Sequence, residues 1–208
     1  MKKRNNMTED QLNQHHAIRM AKRKAARDKV LLTKNIEKGL LIVHTGKGKG
    51  KSTAAFGLAS RAIGNKMRVG IVQFVKGKWE TGERVVLEAF PELCTIHVMG
   101  EGFTWDTQDR QRDIKAAKEA WEQAKLLMKD PTYEMIVLDE LNIVLRYDYL
   151  EISQVLKTLL ARRDSLHILV TGRNAKPELI EAADLVTEMT EVKHPFRAGV
   201  KAQKGIEF

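Results

Sequence analysis

His44-Thr45-Gly46-Lys47-Gly48-Lys49-Gly50-Lys51-Ser52-Thr53 sits between the apolar run Leu40–His44 and a stretch, Ser52–Ile63, that reads as a helix ending near Gly64. A strand, a glycine-rich turn and a helix in that order are the context of a phosphate-binding loop, whose usual pattern is Gly, four residues, then Gly-Lys-Ser/Thr. Gly50-Lys51-Ser52 supplies the end of the pattern, whereas counting back places Thr45 where the first glycine belongs. Gly46, Gly48 and Gly50 still let the backbone turn its amides inward around an anion. The helix that follows adds a positive dipole end at Ser52–Thr53. Lys51 can neutralise phosphate charge, and the Ser52 hydroxyl can join a magnesium ion. Lys47 and Lys49 either touch phosphate or face solvent.

Outward from this loop, strands alternate with helices. Val69–Val75 is an apolar strand followed by the turn Lys76-Gly77-Lys78, and Thr95–Val98 is a third strand leading into a loop over 99–108. Asp109–Met128 carries Ile114, Ala117, Trp121 and Ala124 at helical spacing and stops before Pro131. Met135–Leu138 is a wholly apolar strand, Tyr149–Leu160 a helix, and Leu166–Val170 a further strand. Thr171-Gly172-Arg173-Asn174 then turns into a helix over Pro177–Ala183, with a last strand at Asp184–Glu188. The alternation predicts an α/β fold with a mostly parallel sheet covered by helices on both faces. Ligands of such sheets bind outside the carboxyl ends of the strands. The loops at Thr45, Met99, Asp139 and Thr171 would all open there.

Ile136-Val137-Leu138-Asp139-Glu140 forms the second half of a nucleotide site, because an apolar strand delivers two acids to its carboxyl end near magnesium and phosphates. Asp139 can hold the metal through water; Glu140 can bind it directly or act as a base. Arg61, in the helix after the loop, either reaches the nucleotide or caps a surface. Arg173 and Asn174, at a strand's carboxyl end, either contact ligand or form a turn and helix cap. His44 reads as a packed strand residue. His97, His167 and His194 show no metal-binding spacing with one another or with Cys94, so zinc is not expected.

Charge divides the chain. Residues 1–38 hold 11 Lys and Arg against 4 Asp and Glu, a surplus of +7, so residues 39–208 contribute only 9 − 7 = +2 of the formal +9. The high isoelectric point therefore describes a basic N-terminal arm, 1–38, ahead of a catalytic domain at 39–208. The arm is rich in helix formers, with a thin apolar face, and is read as a solvated helix or a mobile tail that includes His15 and His16. It lacks the interleaved aromatics on which single-stranded nucleic acid stacks, so no nucleic-acid partner is expected. No apolar run approaches the roughly 18 to 20 residues of a membrane helix. Cys94, the only cysteine, reads as a buried small hydrophobe. No secretory signal is expected, and the expected address is cytoplasmic.

Several segments taken together carry a resemblance. Thr45–Ala55, Gln73-Phe74-Val75-Lys76-Gly77, Val98-Met99-Gly100-Glu101-Gly102-Phe103-Thr104-Trp105, Leu138–Asn142, Thr171–Asn174 and the closing stretch Lys193–Ile206 look like the phosphate-loop family of cob(I)alamin (corrinoid) adenosyltransferases. The shortened glycine loop is a feature of that family, although its members often have Thr where this chain has Ser52. The resemblance implies a P-loop NTPase-like (RecA-like) fold and transfer of the 5′-deoxyadenosyl group of ATP to a reduced corrinoid, releasing triphosphate. ATP, Mg2+ or Mn2+, and a cobalamin-type corrinoid follow as ligands. The implied site comprises Gly46, Lys47, Gly48, Lys49, Gly50, Lys51, Ser52, Thr53, Arg61, Arg173 and Asn174 for the nucleotide, and Ser52, Asp139 and Glu140 for the metal. Phe103 and Trp105 are implied to displace the lower axial ligand of cobalt and ease its reduction; read from residues alone, they are first of all core aromatics anchoring a loop. Arg173 and Asn174 are also placed to meet corrinoid side chains. A homodimer, whose N-terminal segment closes over an active site, and an electron donor such as a flavoprotein complete the implied picture. Two other readings suit a phosphate loop: an ATP hydrolase or small-molecule kinase, which would release ADP, and a nucleic-acid-binding ATPase using the basic arm.

Overall fold

The computed structural model describes residues 7–75, 81–99 and 109–207. The chain divides into two compact units, residues 1–37 and 38–208. The first is built on helix α1, Glu9–Leu31, which no buried residue anchors. It starts sharply. Thr8 accepts a hydrogen bond from the Gln11 amide, while the Gln11 side chain accepts one from the Thr8 amide, so two otherwise orphaned donors are satisfied reciprocally. His15 and His16 are exposed positions within this helix.

In the second unit six strands, β1 Leu41–Thr45, β2 Val69–Gln73, β3 Cys94–Val98, β4 Met135–Asp139, β5 His167–Thr171 and β6 Leu185–Glu188, form one sheet in the order β3-β2-β4-β5-β1-β6. Every pairing is parallel. One strand, β5, thus separates the strand of the glycine loop from the strand of the acid pair, the RecA-like arrangement of a P-loop NTPase-like α/β fold.

Successive side chains point to opposite faces of a strand, so a doubly covered sheet needs apolar residues at every position. Leu41, Val43, Ile136, Leu138, Ile168 and Val170 belong to one core; Ile42, Val137 and Leu169, the residues between them, belong to the other. The second core is closed by α2, Lys51–Gly64, through Ala55, Phe56, Ala59 and Ile63, and by Leu87 of α3, Gly82–Glu88. The first is closed by α4, Arg110–Lys129, through Ala117, Trp121, Ala124 and Leu127, together with α5, Leu141–Arg146, α6, Ile152–Leu160, and α7, Pro177–Ala182. A fully buried Leu or Ile contributes about 1.5–3 kcal/mol, so these two cores hold the sheet rigid beneath its loops.

Several elements differ from the sequence reading. The strand expected over Val69–Val75 ends at Gln73, although Phe74 stays buried and its amide bonds the Asp139 carbonyl. The helix expected from Tyr149 begins at Ile152, because Tyr149 and Leu150 turn inward as buried residues before the N-cap at Glu151. Helices α3 and α5, seven and six residues long, were not anticipated.

Candidate active site

The glycine loop emerges from β1 and runs into α2. Gly46 and Gly50 hold φ of 97° and 98°, the left-handed region open to glycine without strain. Gly48 is required for a different reason. The chain past β6 passes directly beside the loop, with the Gly48 amide bonding the Met189 carbonyl at 2.6 Å and the Met189 amide bonding the Thr45 carbonyl at 2.8 Å. A Cβ at Gly46 or Gly48 would meet the Met189 carbonyl oxygen at 2.4 or 2.7 Å. Two of the three glycines therefore serve close packing as well as the loop's own curvature. Lys51, Ser52 and Thr53 open α2, so their amides have no carbonyl partner earlier in the helix and are available to an anion.

Lys51 is buried and its ammonium donates to the Gly48 carbonyl. Burial lowers its pKa, the neighbouring cations Arg173 and Lys49 act in the same direction, and Glu140 opposes them. The same stretch is tied to β1 where His44 Nδ1 lies 3.3 Å from the Lys51 carbonyl. His44 is thus a packed strand residue. Cys94 is buried too, and burial, with Glu88 nearby, pushes its thiol up to about 11.

Opposite the loop, β4 ends in the two acids. Both oxygens of Asp139 accept hydrogen bonds, Oδ1 from the Thr171 hydroxyl at 2.7 Å and Oδ2 from the Gln73 amide at 3.1 Å. Glu140 lies in the left-handed region, φ 61°, and its own amide donates to the Thr171 hydroxyl at 2.9 Å. Its Oε2 is buried without any hydrogen-bond partner. Burial, and then the charge of Asp139, raise the Glu140 carboxyl to about 7 against the pull of Lys51 and Arg173.

Loop and acids line one cavity of about 710 Å³, which also takes in Thr53, Glu83, Arg173 and, from the C-terminal stretch, His194 and Glu207. Thr53 donates to Glu83 at 3.3 Å, and Lys49 forms an ion pair with Glu207. A second concavity of about 730 Å³ lies on the other side of the loop, lined by Gly46, Lys47, Arg173 and Asn174 among others. The two share Arg173, so the residues expected at the nucleotide fall on both sides of Gly46–Gly48. Asn174 has φ 56°, and the N-cap of α7 is Lys176, so neither Arg173 nor Asn174 caps that helix. Arg61 is exposed in the last turn of α2 and lines neither concavity. Phe103 and Trp105 lie outside the described residues.

A magnesium ion bound with nucleotide needs one or two protein carboxylates beside phosphate oxygens, not a complete protein cage. The residues present suit it: Glu140 offers a buried oxygen with no other partner, and Ser52 and Asp139 offer further hard oxygens. Among the described residues, no group of three or more His, Cys, Asp or Glu is disposed to hold a metal by itself. Gln73 and Thr171, which organise the site, entered the sequence reading only within motif segments and without a role of their own, and Met189 escaped it.

The chain is 55% identical over 195 residues to a corrinoid adenosyltransferase of Sinorhizobium sp, covering 93% of this chain and 91% of that one. Against the Pseudomonas aeruginosa corrinoid adenosyltransferase the identity is 54%, with 94% and 96% covered, and against that of Escherichia coli K12 it is 48%, with 83% and 87% covered. Among solved structures it is similar to the flagellar accessory protein FlaH from Methanocaldococcus jannaschii, at 12% identity and a TM-score of 0.49, covering 75% of this chain and 73% of that one. The profile described as "Cob(I)alamin adenosyltransferase N terminal" matches residues 5–29. That described as "ATP:corrinoid adenosyltransferase BtuR/CobO/CobP" matches residues 37–208, and the chain belongs to that family.

Proposed function

We propose that this chain transfers the 5′-deoxyadenosyl group of ATP to cobalt(I) of a corrinoid, with Gly46–Thr53 gripping the triphosphate and Glu140 facing it across the cavity. The nucleophile belongs to the substrate. A cobalt(I) electron pair attacks the ribose 5′ carbon, a cobalt–carbon bond forms, the bond from that carbon to the α-phosphate oxygen breaks, and its electrons leave with triphosphate. No serine, cysteine or lysine nucleophile is required of the protein.

The chain contributes alignment and charge. Holding two reactants in line can supply about 7–11 kcal/mol. The unpaired amides of Lys51, Ser52 and Thr53, with the Lys51 ammonium, meet the charge growing on the leaving group in a site partly closed to water. Ser52 and Glu140 would hold magnesium directly and Asp139 through water, and the ion would neutralise phosphate charge when bound. Arg173 shares the field of Lys51 and Glu140, which supports a role at the phosphates. Phe103 and Trp105 shed water from one face of the corrin and favour reduction of cobalt(II), an electron donor such as a flavoprotein supplying the electron. The working form is a homodimer in the cytoplasm.

The observation that carries this reading is that Glu140, with a buried and partnerless carboxylate oxygen, lines the same cavity as a lysine-bearing glycine loop, in a chain of this family. Phosphorus NMR of the spent reaction tests it. Tripolyphosphate is expected as the phosphorus product. ADP instead would make the chain a hydrolase or kinase.

A further inference from the structure

Asp139 and Glu140 are both acids at the end of β4, yet the structure treats them differently. Thr171, wholly buried at the end of β5, has one proton and spends it on Asp139 Oδ1; it also accepts the Glu140 amide. Gln73 occupies the other Asp139 oxygen. Glu140 keeps Oε2 free. The residues after Thr171 are shaped around this carboxylate: Gly172 has φ 124°, and a Cβ there would lie 2.9 Å from both Glu140 Oε2 and Asn142 Cβ. Asn142, fully buried, donates to the Gly172 carbonyl at 3.0 Å and closes the circuit.

We infer that Thr171 is a positioning residue whose hydroxyl divides the labour of the acid pair, fixing Asp139 as a buried hydrogen-bonded brace and holding Glu140 in its left-handed conformation with its carboxylate directed at metal-bound nucleotide. A non-glycine residue in that region is disfavoured, and the amide bond to Thr171 offsets part of that cost. Without the hydroxyl, the Glu140 amide and Asp139 Oδ1 each lose a partner. Glu140 can then return to an ordinary conformation and swing its carboxylate away. Partners that orient a metal-binding group from behind are typically worth about 10–100-fold in metal affinity. The inference rests on the function proposed above.

The test is magnesium-dependent binding of a fluorescent ATP analogue to the full chain, with Thr171→Val and Thr171→Ser beside the unaltered protein. For Thr171→Val the Mg2+ midpoint should rise on the order of tenfold, with analogue affinity in EDTA unchanged. Thr171→Ser should keep the unaltered midpoint although it loses a buried methyl and some thermal stability. If the valine variant does not fold, Thr171→Ala is compared with Thr171→Ser in its place. A midpoint within twofold of the unaltered protein for the variant lacking the hydroxyl overturns the inference. So does an equal loss of affinity with and without Mg2+, or failure of serine to restore the midpoint. A chain whose unaltered form shows no magnesium-dependent binding refutes the functional reading itself, a separate outcome.

Discussion

The Gly48 amide donates to the Met189 carbonyl at 2.6 Å, so the middle of the glycine loop is tied to the chain just past β6. Loop shape and the sheet edge are therefore one structural unit. Gly46→Ala and Gly48→Ala would each force a Cβ against that carbonyl, whereas Gly50→Ala would meet only the Met189 sulfur at 3.7 Å. The first two should lose about 1–3 kcal/mol, as overpacked sites do. Gly50→Ala should show only the cost of its positive φ, roughly 1–2 kcal/mol. Gly46→Ala combines clash and positive φ and should be the least stable in urea denaturation.

Lys51 is a charge held in a place that disfavours it, since burial lowers its pKa. Lys51→Met should therefore lower turnover by about 100-fold or more, the scale of removing one donor to developing charge, while the melting temperature stays level or rises. A parallel loss of activity and stability would show the lysine to be structural.

Glu140 gives the unliganded protein a defined pH response. Its carboxyl is raised to about 7 in the fold, from an ordinary value of 4.5, with burial the main cause and Asp139 the second; Lys51 and Arg173 work against both. A raised folded value means the fold favours the protonated form. The associated stability is complete below about pH 4.5 and is lost as pH climbs through 7, a change of about 3 kcal/mol. Urea midpoints at pH 5 and pH 8 should differ accordingly, and Glu140→Gln should remove that part of the difference.

On the function proposed above, Phe103 and Trp105 serve reduction of cobalt and not the transfer itself. With cobalt(II) substrate and a reductant, Phe103→Ala and Trp105→Ala should each slow product formation on the order of tenfold, about 1.4 kcal/mol in barrier. With chemically prereduced cobalt(I) the rates should stay near those of the unaltered chain. An unchanged cobalt(II)-dependent rate in both variants would remove the role.

What the sequence disclosed follows from range. The strand–loop–helix at Leu41–Gly64 and the strand ending in Asp139 are local patterns of period and punctuation, so β1, α2 and β4 were legible within a residue or two. Helices α3 and α5 were not, because seven and six residues give too few turns for a periodic signal, neither opens on a proline as the equally short α7 does at Pro177, and α5 follows a left-handed Glu140 that no local rule demands. The same limit applies to the site. Lys51, Asp139 and Glu140 announce themselves by type and position. The bonds of Gln73 and Thr171 to Asp139 span 66 and 32 residues and exist only once β2, β4 and β5 lie side by side. The glycines were legible as a loop, but the Met189 backbone that requires two of them was not.

Mixing the purified chain with ATP, magnesium and cob(I)alamin under anaerobic conditions, and following the corrin spectrum, tests the central claim most directly. A light-sensitive alkylcobalt spectrum should grow in, one equivalent per triphosphate released, and should grow about 100-fold more slowly, or slower still, with Lys51→Met. An unchanged cobalt(I) spectrum, from folded protein that still retains ATP, would contradict the account.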